Sequence, residues 1–132
     1  MASLFSKLVS GELPCHKVAE NDKFLAFLDI MPLEPGHTLV IPKVEVDYIF
    51  DIDDELLAEM HLFAKKVAIA LKKSVPCLRI GIAVVGLEVP HAHIHLVPLK
   101  NISSINFSKE KFKMNDDELK HLAQTISQAF NN

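Results

Sequence analysis

The sequence predicts an α+β domain: an antiparallel five-stranded sheet, one long helix packed on it and short terminal helices. Three observations predict it. Five short apolar stretches are punctuated by Pro, Gly or Asn-Asp, as strands are. One stretch, Asp53 to about Lys73, has its apolar residues at three- and four-residue steps, as a helix does. The order of these elements, strands first and the long helix set between strands, suits an antiparallel sheet. At 132 residues the chain fits a single domain, 1–132.

The elements follow in order. Leu4, Phe5, Leu8 and Val9 form an apolar stripe closed by Gly11 and Pro14, a short amphipathic helix with a glycine stop. Residues 16–20 and 24–28, separated by Asn21-Asp22, read as two strands of a hairpin. Pro32, Pro35 and Gly36 make a loop before a third strand from His37 to Ile41, ended by Pro42. In the long helix Leu56, Met60, Phe63, Val67 and Leu71 share a stripe, with acids at its start and lysines near its end, as the helix dipole favours. Pro76 stops it. Residues 78–85 form an apolar run suited to a buried central strand, and a further strand runs from His91 to Leu99. A last helix starts at Asn115, with Glu118 at the capping-box position, and continues through Leu119, Leu122, Ala123, Ile126 and Phe130.

The formal net charge of −3 argues against a nucleic-acid partner held on a broad basic surface, so an anion would be bound locally. Lys7 and Glu12 interrupt the N-terminal apolar stretch, which argues against a secretory signal or a membrane anchor and for the cytoplasm. Cys15 and Cys77 lack the spacing of a zinc knuckle or dithiol motif and are expected to be buried free thiols.

The chemistry concentrates at His91-Ala92-His93-Ile94-His95, where three of the seven histidines fall within five residues. In an extended strand, alternate side chains share a face, so all three imidazoles point one way. Ala92 and Ile94, continuing into Val97, face the helix. Three readings fit such a face. The histidines are structural; or they bind a metal, with Glu88 or His37 as a further ligand; or an imidazole nitrogen attacks phosphorus to give a phosphoramidate that a second acceptor resolves. The last requires one tautomer to dominate and nearby donors to stabilise the phosphoryl oxygens.

The run His91-Ala92-His93-Ile94-His95-Leu96-Val97 resembles the signature of the histidine triad (HIT) family, His-φ-His-φ-His-φ-φ with φ apolar. LAFLDIMPLEPGHTLVIPK, residues 25–43, and SKLVSGELP near the N-terminus are similar to family segments in the same register. The resemblance implies a homodimeric nucleotide hydrolase or transferase whose sheet continues across the dimer. It implies that His93 attacks the α-phosphate, that His91 orients the site, that His95 touches the phosphate and that His37 lies behind them. Asp29 matches the family aspartate that accepts from ribose hydroxyls, for which an acceptor-only carboxylate is suited. Leu28, Ile30, Val9 and Leu13 would form the apolar slot for the base.

Two departures stand out. Many HIT proteins hold a structural zinc with two N-terminal cysteines, a histidine after the IPK segment and the first triad histidine. Ser3, Ser6 and Glu45 stand at the first three of these positions and only His91 is kept, so no zinc is expected. Before the triad the family shows Gly-Gln-Ser/Thr-Val, and this chain has Gly86-Leu87-Glu88-Val89. An ionised Glu88 cannot donate to a phosphate and repels it. The resulting expectation is a metal-independent nucleotidyl hydrolase or transferase without a cofactor, acting on a purine nucleoside phosphoramidate or dinucleoside polyphosphate through nucleotidyl-His93. A nucleotide-binding regulatory module with little turnover, and a metal-dependent hydrolase, are the rivals.

Overall fold

The structure is a computed structural model describing residues 3–132. Eight principal elements follow one another: α1 (Leu4–Ser10), β1 (Lys17–Glu20), β2 (Phe24–Leu28), β3 (Thr38–Pro42), α2 (Asp54–Ser74), β4 (Arg79–Ala83), β5 (Ile94–Leu99) and α3 (Asp116–Asn131). Short 3-10 turns at Ile49–Asp51 and Ile102–Ile105 were not anticipated from sequence. The five strands form one antiparallel sheet in the order β1-β2-β3-β5-β4. No helix among the described residues is long and apolar enough to cross a membrane.

β2 and β3 are buried along their whole length because both faces of the sheet are covered there. Phe24, Ala26, Leu28 and Val40 enter the larger core, under Met60, Phe63, Val67 and Leu71 of α2 and Leu119, Ala123 and Ile126 of α3. Leu25, Phe27, Leu39 and Ile41 point the other way and pack with Phe5, Leu8 and Val9 of α1. Each helix has a side-chain N-cap, of which only Asn115 with Glu118 is predicted from the sequence. Ser3 caps α1, Asp53 caps α2, and Asn115 and Glu118 form the reciprocal capping box of α3. At 16 residues α3 is not the short helix expected, since its apolar stripe stays in register with the core to the end.

The segment at 78–85 is a correction. β4 is an edge strand paired with β5 alone, and Leu78 and Ile82 are 71% and 55% exposed. An apolar run reports a surface to be covered but not what covers it. The strand expected over 91–99 begins only at Ile94, and alternation carries Ala92, Ile94 and Leu96, not Val97, into the α2 core.

Gly36 turns the chain into β3 at φ +99°, and a Cβ there would meet Val75 at 3.0 Å, Leu71 at 3.1 Å and Pro98 at 3.2 Å. Gly86 also has positive φ but faces open space. Gly36→Ala should therefore destabilise the fold by about 2–4 kcal/mol, and Gly86→Ala by only about 1–2 kcal/mol. Urea unfolding measures both, and equal losses would contradict this packing account.

Candidate active site

A cavity of about 680 Å³ lies on the α1 face of the sheet. Its floor is apolar, made by Phe5 and Leu8 of α1 with Phe27 and Leu39 of the sheet. The polar groups of its lining are His93, His95, Glu88, Asp29, Cys15, His16 and Asp116, with the Asp29 carboxylate 3.9 Å from His37 Nε2. His95 is on β5, and His93 lies just before that strand, held edge-on against Phe5 at 5.0 Å between ring centres.

Backbone groups of fixed polarity settle the tautomers. His93 Nδ1 is 2.7 Å from the His91 carbonyl, which only accepts, so Nδ1 carries the proton and Nε2 is left with its lone pair. The Leu33 N–H donates to His37 Nδ1 at 3.1 Å, so His37 Nε2 carries the proton and donates to His95 Nδ1 at 2.9 Å. His95 therefore presents Nε2–H. The outcome is an unprotonated nitrogen on one ring and an N–H on its neighbour, with ring centres 4.8 Å apart. Such a pair is suited to attack an electrophile and to donate to its oxygens.

His91 does not reach the cavity. Its Nε2–H donates to the Pro42 carbonyl at 2.8 Å, and its Nδ1 accepts from Ser3 Oγ at 2.9 Å. Glu45 Oε1 accepts from the Ser3 backbone N–H at 2.6 Å and from Ser6 Oγ at 2.7 Å. These bonds to Ser3 and Ser6 hold the Glu45 carboxyl down at about 2. His37 and His95 are pushed down to about 3 and about 4, first by burial and then by neighbouring histidines. Burial also lowers His91, against the opposing pull of the Pro42 carbonyl, and raises Asp29. The ring of Phe107 caps His95 at 4.8 Å, and its segment is tied down by Lys109 on the buried Glu34 at 2.8 Å and by Phe112 N–H on the Pro32 carbonyl at 2.9 Å.

Residues 10–102 match the sequence model of the HIT domain. The chain belongs to the HIT domain family. An adenosine 5'-monophosphoramidase of Schizosaccharomyces pombe is 33% identical over 96% of this chain and 97% of its own length. A Hit-like protein involved in cell-cycle regulation from Bartonella henselae superposes with a TM-score of 0.83 at 32% identity, over 96% of this chain and 95% of its own. A zinc-bound histidine triad family protein from Mycobacterium smegmatis does so with a TM-score of 0.82 at 29% identity, over 99% of this chain and 94% of its own.

In this HIT protein the corner where Ser3, Ser6, Glu45 and His91 meet does not suit zinc. Two of the four donors are hydroxyls and the His91 lone pair is already taken by Ser3. Hydrogen bonds occupy the place where a metal's ligands would converge. Among the described residues no group of three or more His, Cys, Asp or Glu side chains is arranged to hold a metal ion.

Of the residues read from sequence, His93, His95, Asp29, Leu28, Ile30, Leu13, Glu88 and Val89 line the cavity. His91 and His37 stand behind it. Val9, Gly86 and Leu87 do not line it: Val9 turns into the α1 core and Leu87 is 88% exposed, while its neighbours Glu88 and Val89 face the cavity. Sequence reasoning missed Phe5, His16, Phe107 and Asp116. Only Phe5 had a signal, as part of the α1 stripe, since the others arrive from distant segments.

The histidine shifts fix a pH dependence. His37, His91 and His95 bind fewer protons folded than unfolded, so their neutral burial contributes fully above the ordinary value of 6.5 and is lost as pH falls, toward about 4 for His95 and about 3 for His37. The raised Asp29 works in the opposite sense at the acid end of that window. Unfolding free energy should fall between pH 6.5 and 4.5 by up to about 1.4 kcal/mol per pH unit for each of His37 and His95. Urea titrations across that range measure it, and a flat profile would contradict neutral burial.

Proposed function

We propose that this HIT protein is a nucleotide phosphoramidase or hydrolase that works without a metal, transferring a nucleotidyl group through His93 from a purine nucleoside phosphoramidate or dinucleoside polyphosphate. The observation that carries the reading is the His93 Nδ1 bond to the His91 carbonyl, which leaves Nε2 as the nucleophile beside the Nε2–H of His95. The activity named for the fission-yeast relative supports it.

In the first step the His93 Nε2 lone pair attacks the α-phosphorus. An N–P bond forms, the bond from phosphorus to the leaving group breaks, and a departing amine keeps the electron pair and takes a proton from solvent. Water then attacks phosphorus, the N–P bond breaks back to the Nε2 lone pair, and a proton returns to solvent. His95 donates to a phosphoryl oxygen, with His37 holding its tautomer, and His91 holds His93 through its carbonyl. Asp29 accepts from the ribose hydroxyls, and Leu13, Leu28 and Ile30 flank the base. Cys15 and Cys77 are free but only part-buried, not buried as expected.

Incubation with adenosine 5'-phosphoramidate should yield adenylate, and quenching in alkaline denaturant, which spares an N–P bond, should trap a nucleotidyl adduct by mass spectrometry. His93→Ala should lower kcat at least about a thousandfold and abolish the adduct. Wild-type turnover in that variant sinks the mechanism. Glu88, a carboxylate at the reactive end of the cavity, favours a second reading, a nucleotide-binding module, which nucleotide affinity with negligible wild-type turnover would select.

We also propose that a second copy joins at the β4 edge. Ile82, Val84 and Val85 are exposed there, as is Ile69 on α2, and an apolar edge strand invites pairing. Sedimentation should give twice the chain mass for the wild type and a smaller species for Ile82→Asp; a monomeric wild type overturns the dimer.

A further inference from the structure

One end of the cavity has no part in the chemistry above, although it is polar. His16 Nε2 lies 3.2 Å from Asp116 Oδ1, with the His16 side chain 19% exposed and the Asp116 side chain 84% exposed. Both line the same cavity as His93 and His95. They come from segments a hundred residues apart: His16 precedes β1, and Asp116 opens α3, pinned by the capping box of Asn115.

Sheet register gives the distance between the two ends. His95 pairs with Leu39, Leu39 with Phe27, and Phe27 with Lys17, one row crossing β5, β3, β2 and β1. Three strand spacings come to about 14 Å. Leu39 and Phe27 are the apolar floor of that row. The His16 carbonyl accepts from the Leu28 N–H at 3.0 Å, which sets His16 next to Leu28 and Asp29. Beside this row, the Asp29 carboxylate lies 3.9 Å from His37 Nε2 at the histidine side, and the His16–Asp116 pair lies one residue beyond Lys17 at the far end. That span matches an extended mononucleotide with its base over Phe27 and its outer edge at Asp116.

We propose that His16 and Asp116 read the base and select guanine over adenine, an inference that rests on the nucleotidyl reading above. A carboxylate offers acceptors only. Guanine presents two adjacent donors, N1–H and the 2-amino group, and each can meet one carboxylate oxygen. Adenine sets the lone pair of N1 beside its single amino group, so one carboxylate oxygen would face a lone pair. His16 is the positioning residue: its Nε2, 3.2 Å from Oδ1, is the polar neighbour of an otherwise exposed carboxylate.

Calorimetry on the full chain with guanosine and adenosine 5'-monophosphates tests this. The wild type should bind the guanine nucleotide roughly tenfold more tightly. Asp116→Asn should reverse or erase that ratio, since a carboxamide sets a donor beside an acceptor and matches adenine. His16→Phe should narrow the ratio while leaving the adenine affinity within about twofold. An unchanged ratio in Asp116→Asn, with nucleotide binding intact, overturns base reading and leaves the nucleotidyl function standing. Absence of affinity for either nucleotide in the wild type overturns both.

Discussion

Four imidazoles are buried in one layer of the fold, His37, His91, His93 and His95. Desolvation penalises the cations of His37, His91 and His95, and neighbouring rings oppose their charge. Neutral imidazole has one donor and one acceptor nitrogen, so every bond made at one nitrogen decides the other. The fold supplies partners of fixed polarity at three points: the carbonyls of Pro42 and His91 accept, and the N–H of Leu33 donates. The tautomers of the whole group follow from these three backbone groups. The reactive arrangement is thus written in main-chain geometry, which the packing of β3 against β5 holds in place.

That packing has two sides with different tasks. On the α2 and α3 side, the sheet is covered by long helices and a continuous core. On the α1 side, a two-turn helix covers only part of it, and the uncovered remainder is the cavity. α1 is therefore both a wall of the site and the element most in need of anchoring. Its anchor is the cluster of Ser3, Ser6, Glu45 and His91, which ties the start of α1 to the segment leading into β5. Hydrogen bonds do here what converging metal bonds would do, and they do it through the ring whose carbonyl orients His93. Phe107 and the Glu34–Lys109 tether close the opposite flank, keeping His37 and His95 dry.

Much of this was legible from the chain. Period-two and continuous apolar runs located β1, β2 and β3, the three- and four-residue stripe located α2, and the Asn115–Glu118 capping box located α3. Alternation correctly set Ala92 and Ile94 toward the core. The apolar run at 78–85 misled, because a strand covered by its own fold and one left open at an edge have the same composition. Gly86 and Leu87 lie outside the cavity while Glu88 and Val89 line it, because successive side chains of a loop face different ways and nearness in sequence to the triad does not fix which.

By itself the sequence determined which side chains are candidates for chemistry and which periodicities they obey, because residue identity and strand or helix repeat are local properties. Three histidines at alternate positions, an aspartate after an apolar strand and two serines in place of sulfur ligands are all visible without coordinates. Tertiary structure alone decided the protonated nitrogen of each ring, the meeting of Ser3 with His91 and of His16 with Asp116, and the side of the sheet left open. Those are outcomes of non-local contact, in which backbone groups far apart along the chain are brought within hydrogen-bond distance and their polarity leaves one arrangement.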